Sequence, residues 1–166
     1  MSKKEFINSR VEMEEILNEE NVGFLGLSMK DEPYVIPVNY VYDQQRIIFH
    51  CALEGKKLDF IQSNPRVCFT VGRKCGKIVR HPQGATCHVE NDSVVCYGQA
   101  RIVEPIDERL DLLNIFNHRL QPDAPDILAQ DGAKCYAVVI KVQQMTGRRQ
   151  REKGYTYWTF TFNEQD

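Results

Sequence analysis

The stretch Pro33–Val67, PYVIPVNYVYDQQRIIFHCALEGKKLDFIQSNPRV, carries the reading of the fold. Tyr34, Ile36, Val38, Tyr40 and Tyr42 recur at period two, which predicts a half-exposed strand over Tyr34–Tyr42. Asp43–Gln45 reads as a turn and Arg46–Cys51 as the next strand, antiparallel to the first. Ala52–Gly55 leads into a helix over Lys56–Ser63. That helix stops at Asn64, because a residue that precedes a proline avoids helical geometry. Gly55, Lys56 and Lys57 stand at its start. A helix N-terminus offers unpaired N–H groups and the positive end of the dipole, glycine admits a ligand close to the backbone, and two ammonium groups add charge. The set reads as a phosphate cradle, although from these residues alone a solvated basic helix start is an equal reading.

Working outward, Ser9 and Glu12 form a capping-box pattern that opens a helix over Arg10–Glu20, with Met13, Ile16 and Leu17 on one face. Val22–Met29 is an apolar strand that turns at Lys30–Pro33 into the quoted stretch, so two hairpins follow one another in an antiparallel meander. Arg66–Arg73 is a further strand, and the polar stretch Lys74–Asp92 reads as a long loop or flap. Ser93–Glu104 is a strand, Asp107–Leu120 an amphipathic helix, Gln121–Gly132 a connector and Lys134–Val142 a strand. Thr146–Lys153 reads as a basic loop, and the aromatic run Tyr155–Phe162 as a last strand. The expected fold is mainly β with flanking helices: a small barrel of six or seven antiparallel strands, closed so that apolar edges are not exposed. The chain reads as one domain over 1–166, with an N-terminal helix in 1–21, a flap at 74–92 and a C-terminal tail from 146.

Composition narrows the function. The 166 residues carry 21 basic and 23 acidic side chains for a net charge of −2, which lacks the basic footprint of a nucleic-acid binder. No apolar run approaches the roughly 18 residues of a membrane helix, and Met1–Arg10 is too polar for a signal peptide; a cytoplasmic protein is expected. Six cysteines occur without a CxxC pair, several of them inside apolar strands, as small buried hydrophobes do. Cys75, His81, Cys87 and His88 share the presumed flap, but their spacing matches no compact zinc pattern, and no metal is expected.

Four segments in order carry a resemblance: Pro37-Val38-Asn39-Tyr40, Phe49-His50-Cys51-Ala52, Gly55-Lys56-Lys57-Leu58 and Asn64-Pro65-Arg66-Val67-Cys68-Phe69. With Ser93–Ala100 as a fifth barrel strand, the chain resembles the pyridoxamine-5′-phosphate-oxidase-like FMN-binding split barrels, and within them the nitroimidazole-reductase branch of Nim-type antibiotic resistance proteins. The resemblance implies a homodimer with FMN in a groove at the interface. Pro37, Val38, Asn39 and Tyr40 would run past the flavin ring, His50 and Cys51 would edge it, and Lys56 and Lys57 would hold the phosphate. Ser93 and Gln99 would approach from the partner strand or subunit, and Trp158 would flank the ring. The segment His81–Glu90 departs from the branch, and the arginines that bind substrate phosphate in true pyridoxamine phosphate oxidases are not evident, so the vitamin-B6 reaction is not expected.

The implied activity is a flavin-dependent oxidoreductase that passes electrons to a small acceptor such as a nitroimidazole or other nitroaromatic. The alternative is a flavin- or haem-binding module for sensing, storage or detoxification without turnover. FAD stands beside FMN as a cofactor, with haem a lesser option. No residue is assigned as catalytic. Arg148, Arg149, Arg151 and Lys153 read first as a solvated face and second as a receptor for an anionic substrate or the adenylate end of FAD.

Overall fold

A computed structural model describes residues 3–7, 9–80, 82, 87–151 and 154–163. In chain order the elements are β1 (Lys3–Ile7), α1 (Arg10–Glu19), β2 (Val22–Met29), β3 (Glu32–Asn39), β4 (Val41–Asp43), β5 (Arg46–Cys51) and α2 (Lys56–Ser63). They continue with β6 (Arg66–Val79), β7 (His88–Val103), α3 (Ile106–Leu120), α4 (Ala129–Gly132), β8 (Tyr136–Arg151) and β9 (Gly154–Thr161).

The barrel closes through one residue. β3 pairs with β2, β4 pairs with β5, and Tyr40 alone separates β3 from β4. The ring then runs from β5 to β8, β7, β6 and back to β2, with every pair antiparallel. The expected single strand Tyr34–Tyr42 is therefore two strands joined at a bend. Tyr40 makes the bend because its ring turns fully into the core and its hydroxyl donates to the Leu17 carbonyl at 2.8 Å, while its N–H donates to the Asn21 carbonyl at 3.0 Å.

The turn between β4 and β5 places Gln44 and Gln45 at φ 43° and 70°, the left-handed pair that a two-residue hairpin requires. Tertiary contacts hold it in place of the usual asparagine and glycine. The Gln45 side chain donates to the Val142 carbonyl at 2.9 Å, and the Val142 N–H donates back to the Gln45 carbonyl at 3.0 Å.

Two expectations are corrected. The flap at 74–92 is mostly sheet: β6 and β7 pair as far as Val79 and His88, with an irregular register between Lys74 and Ile78. A projecting hairpin satisfies its backbone by pairing and needs no apolar alternation, so its polarity read as loop. The basic loop at Thr146–Lys153 is likewise strand up to Arg151, since β8 pairs with β5 over its first half and with β9 over its second. β1 adds to β9 in parallel, which brings the sheet to nine strands rather than six or seven.

Two cores result. The barrel interior holds Leu25, Tyr40, Phe49, Phe60, Phe69 and Trp158 under α1 and α2. A second cluster lies outside the barrel, where α3 sets Leu112, Leu113 and Phe116 on Ile48, Val103 and Val139. Among the described residues no helix is long and apolar enough to cross a membrane.

Candidate functional site

The end of β5, the bend after it and the start of α2 make one constellation. Gly55 precedes α2 with φ 134° and ψ 158°, a region open essentially to glycine alone. No side chain caps the helix, and a Cβ placed at Gly55 would meet nothing within 4 Å. The backbone here is therefore open, with helix N–H groups directed at the space in front of it, and an anion fits.

Lys56 and Lys57 diverge. Lys56 pairs with Glu32 of β3 at 2.5 Å and lies over the rings of Tyr34 and Phe60 at 5.0 and 5.3 Å. The Lys57 charge is felt at the end of β5, where it favours the neutral imidazole of His50 and opposes the effect of burial on Cys51. Partial burial, and then the Lys57 charge, hold the His50 imidazole below its ordinary range. Burial pushes the Cys51 thiol up, against the opposing pull of Lys57, which favours its neutral form. His50 stands on the outer side of β5 and packs edge-on against Phe116 of α3, with centroids 5.0 Å apart. Of the residues expected to form the phosphate and ring-edge site, the structure brings together His50, Cys51 and Lys57, with Gly55 between them in sequence, and turns Lys56 toward β3.

The remaining expectations divide. Pro37 and Asn39 are exposed, whereas Val38 and Tyr40 are buried and direct their side chains inward, so these two can offer a ligand only their backbone. Trp158 is a core residue: it is 1% exposed, faces Gly147 across the β8–β9 ladder, and lies under the Arg149 guanidinium at 4.7 Å. It cannot flank a flavin ring. The resemblance places a late aromatic beside the ring, but β9 turns this one into the barrel. Ser93 and Gln99 lie on one face of β7 but about 20 Å apart along the strand, so they do not share a site within one chain. Ser93 faces Gly72 and Arg148, and Gln99 faces Arg66 and Lys141.

The basic run is largely engaged. Asp92 is fully buried, and Arg73, Arg149 and Arg151 reach its carboxylate at 3.1, 3.1 and 2.9 Å. Arg149 also pairs with Glu12, and Arg73 with Glu19, so the cluster ties α1 to the barrel wall. Arg149 and Arg151 are therefore engaged by carboxylates of their own chain rather than forming a solvated face; Lys153 lies outside the described residues. Among the described residues no three metal-binding side chains come together; His81 is outside them, as is the side chain of Cys75. Phe116 and Glu32 are the neighbours that sequence reasoning missed. Neither carries a local signal, because each meets its partner only across the fold.

A barrel with a glycine-opened helix start beside it defines the class, a split β-barrel. A family model described as pyridoxamine 5′-phosphate oxidase matches residues 9–149, and the chain belongs to that family. Among solved structures, it is 25% identical to a candidate 5-nitroimidazole antibiotic resistance protein from Bacteroides thetaiotaomicron, with a TM-score of 0.74 over 85% of this chain and 84% of that one. An FAD-binding protein from Mesorhizobium loti is 24% identical, with a TM-score of 0.65 over 86% and 96% of the two chains. A flavocytochrome from Azotobacter vinelandii shares the fold at 14% identity, with a TM-score of 0.75 over 95% and 80%. No curated protein sequence matches the chain.

Proposed function

We propose that this protein is a flavin-dependent oxidoreductase that reduces a small acceptor, with a nitroimidazole or related nitroaromatic as the leading substrate class. The observation that carries the reading is the uncapped helix start at Gly55, with two lysines in its first turn, in a chain of this family. The 25% identity to the nitroimidazole resistance protein supports the acceptor class.

Gly55 and the first N–H groups of α2 would hold the flavin phosphate, with Lys57 neutralising its charge. His50, neutral near pH 7, has a ring nitrogen free to donate or accept at the flavin edge according to its tautomer. The exposed Pro37 and Asn39, with the backbone between them, would border the ring from β3. A bound flavin, FMN or FAD, supplies the electron transfer itself. The chain contributes anchoring and ring-edge hydrogen bonds, and burial favours the neutral thiol of Cys51.

The reading includes a homodimer. β2, β3 and β7 expose Phe24, Val35 and Tyr97 on one outer face, at 48%, 64% and 45% exposure, which suits burial against a second copy. Ser93 lies on this face and would reach the partner's flavin rather than its own.

Purified protein should be yellow, its flavin bands bleaching with reductant and recovering with a nitroimidazole. Colourless protein that takes up neither FMN nor FAD sinks the proposal, and a Soret band in place of flavin bands moves it to haem.

A further inference from the structure

The two lysines at the start of α2 are adjacent, but only one of them is already paired. Lys57 forms no ion pair among the described residues, whereas the Lys56 ammonium meets the Glu32 carboxylate at 2.5 Å. The pair joins the first residue of β3 to the first residue of α2. Tyr34 and Phe60, with ring centroids 5.2 Å apart, lie beneath the ammonium and hold it on the β3 side. Both partners of the ion pair are about half exposed, at 52% and 54%. An exposed pair of this kind is worth at most about fivefold in an equilibrium, and each exposed cation–ring contact about the same. Lys56 is therefore held, but held loosely enough for a stronger anion to take it.

A phosphate at this helix start lacks a charge without Lys56. A phosphate monoester carries about 1.5 to 2 negative charges at pH 7. Lys57 supplies a single positive charge, and the end of the α2 dipole roughly half of another. Lys56 would complete the neutralisation, on a flexible four-carbon stem rooted at the first residue of the helix. Glu32 occupies it instead. The carboxylate is also outside the face assigned to a second copy: in the β2–β3 register Glu32 stands on the opposite side of β3 from Val35.

We propose that Glu32 is an internal competitor for the phosphate at the α2 start. Its carboxylate holds the Lys56 ammonium until a phosphate monoester displaces it, so Glu32 sets how tightly that group binds. The phosphate wins the exchange because it brings more charge and more acceptor oxygens than a single carboxylate. The inference deepens the flavin reading and rests on it for the identity of the ligand, though not for the competition itself.

The test is a double-mutant cycle on flavin-free protein titrated with FMN, riboflavin and inorganic phosphate. Glu32→Gln should bind FMN and inorganic phosphate about three- to fivefold more tightly than the unchanged protein. Riboflavin, which lacks the phosphate, should bind both equally well. Lys56→Ala should cost about three- to fivefold more FMN affinity in the Glu32→Gln background than alone, because the lysine is then free for the phosphate. Additive effects of the two changes would make Glu32 a background charge and overturn the proposal. So would an equal gain for riboflavin, or an FMN affinity that Glu32→Gln leaves unchanged or lowers; the flavin reading survives each of these results. Protein that binds inorganic phosphate in this Glu32-dependent way but takes up neither FMN nor riboflavin would remove the flavin reading and leave the competition standing.

Discussion

The imidazole of His50 meets the ring of Phe116 edge to face, with centroids 5.0 Å apart and planes at 87°. The contact joins the end of β5 to α3 and makes the second core one wall of the candidate flavin site. It also explains part of the desolvation that holds the imidazole neutral, since one side of the ring faces carbon rather than water.

Phe116→Ala should act at two levels. Removing a buried phenyl ring from the α3 cluster should cost about 3–5 kcal/mol, read by denaturant unfolding. In the folded variant, NMR titration should show the His50 pKa rising toward the ordinary imidazole value. An unmoved pKa would mean that Phe116 plays no part in holding the ring neutral.

His50 sets a pH dependence whose sign is fixed. Its folded pKa lies below the unfolded value of about 6.5, so below that pH the unfolded chain binds more protons than the folded one. Stability should therefore fall as pH drops from about 6.5 through the folded pKa, and His50→Gln should flatten that part of the profile. Flavin binding should raise the His50 pKa, because a phosphate offsets the Lys57 charge; proton uptake measured near pH 6 in two buffers of different ionisation enthalpy checks this.

The two lysines should separate in flavin titrations. Lys57→Ala should weaken FMN by about ten- to a hundredfold, the range for one charge-assisted hydrogen bond. Lys56→Ala should cost several-fold less, since Lys56 is engaged with Glu32. Equal losses would return both to the phosphate.

Gly55→Ala should be destabilising by about 1–3 kcal/mol from backbone strain alone, as no neighbour obstructs the new methyl group. A relaxed helix start would present its N–H groups elsewhere, so FMN affinity should fall with stability, as fluorescence titration of the folded variant can show.

Asp92→Asn should lower the melting temperature by on the order of 10 °C, because it leaves three arginines around a neutral amide; breaking such a buried set costs about 3–5 kcal/mol. Trp158→Phe should leave FMN affinity within about twofold, whereas a ring-stacking tryptophan would contribute on the order of 1 kcal/mol.

Much of this architecture was legible in the chain. The capping serine before α1 accepts from the Glu12 N–H at 3.4 Å, and α2 spans the residues that Gly55 and Pro65 bracket. Both follow from local chemistry: a cap, a glycine, a proline and a period of alternation act over a few residues. The family resemblance rested on ordered motifs of the same local kind, and the match over 9–149 bears it out.

What only the tertiary structure decided is where each side chain points once the strands pair. Tyr40 and Trp158 look alike in sequence to residues that border a ligand, yet pairing turns both into the barrel. Lys56 and Lys57 are adjacent and chemically identical, yet one meets Glu32 of β3 and the other acts on the end of β5. Arg149 and Arg151 read as free charge until β8 sets them on Asp92. By itself the sequence determined the elements, their order and a glycine-opened helix start, because those depend on neighbours along the chain. The occupants of the site depended on register, which places residues tens of positions apart side by side and so has no local signature.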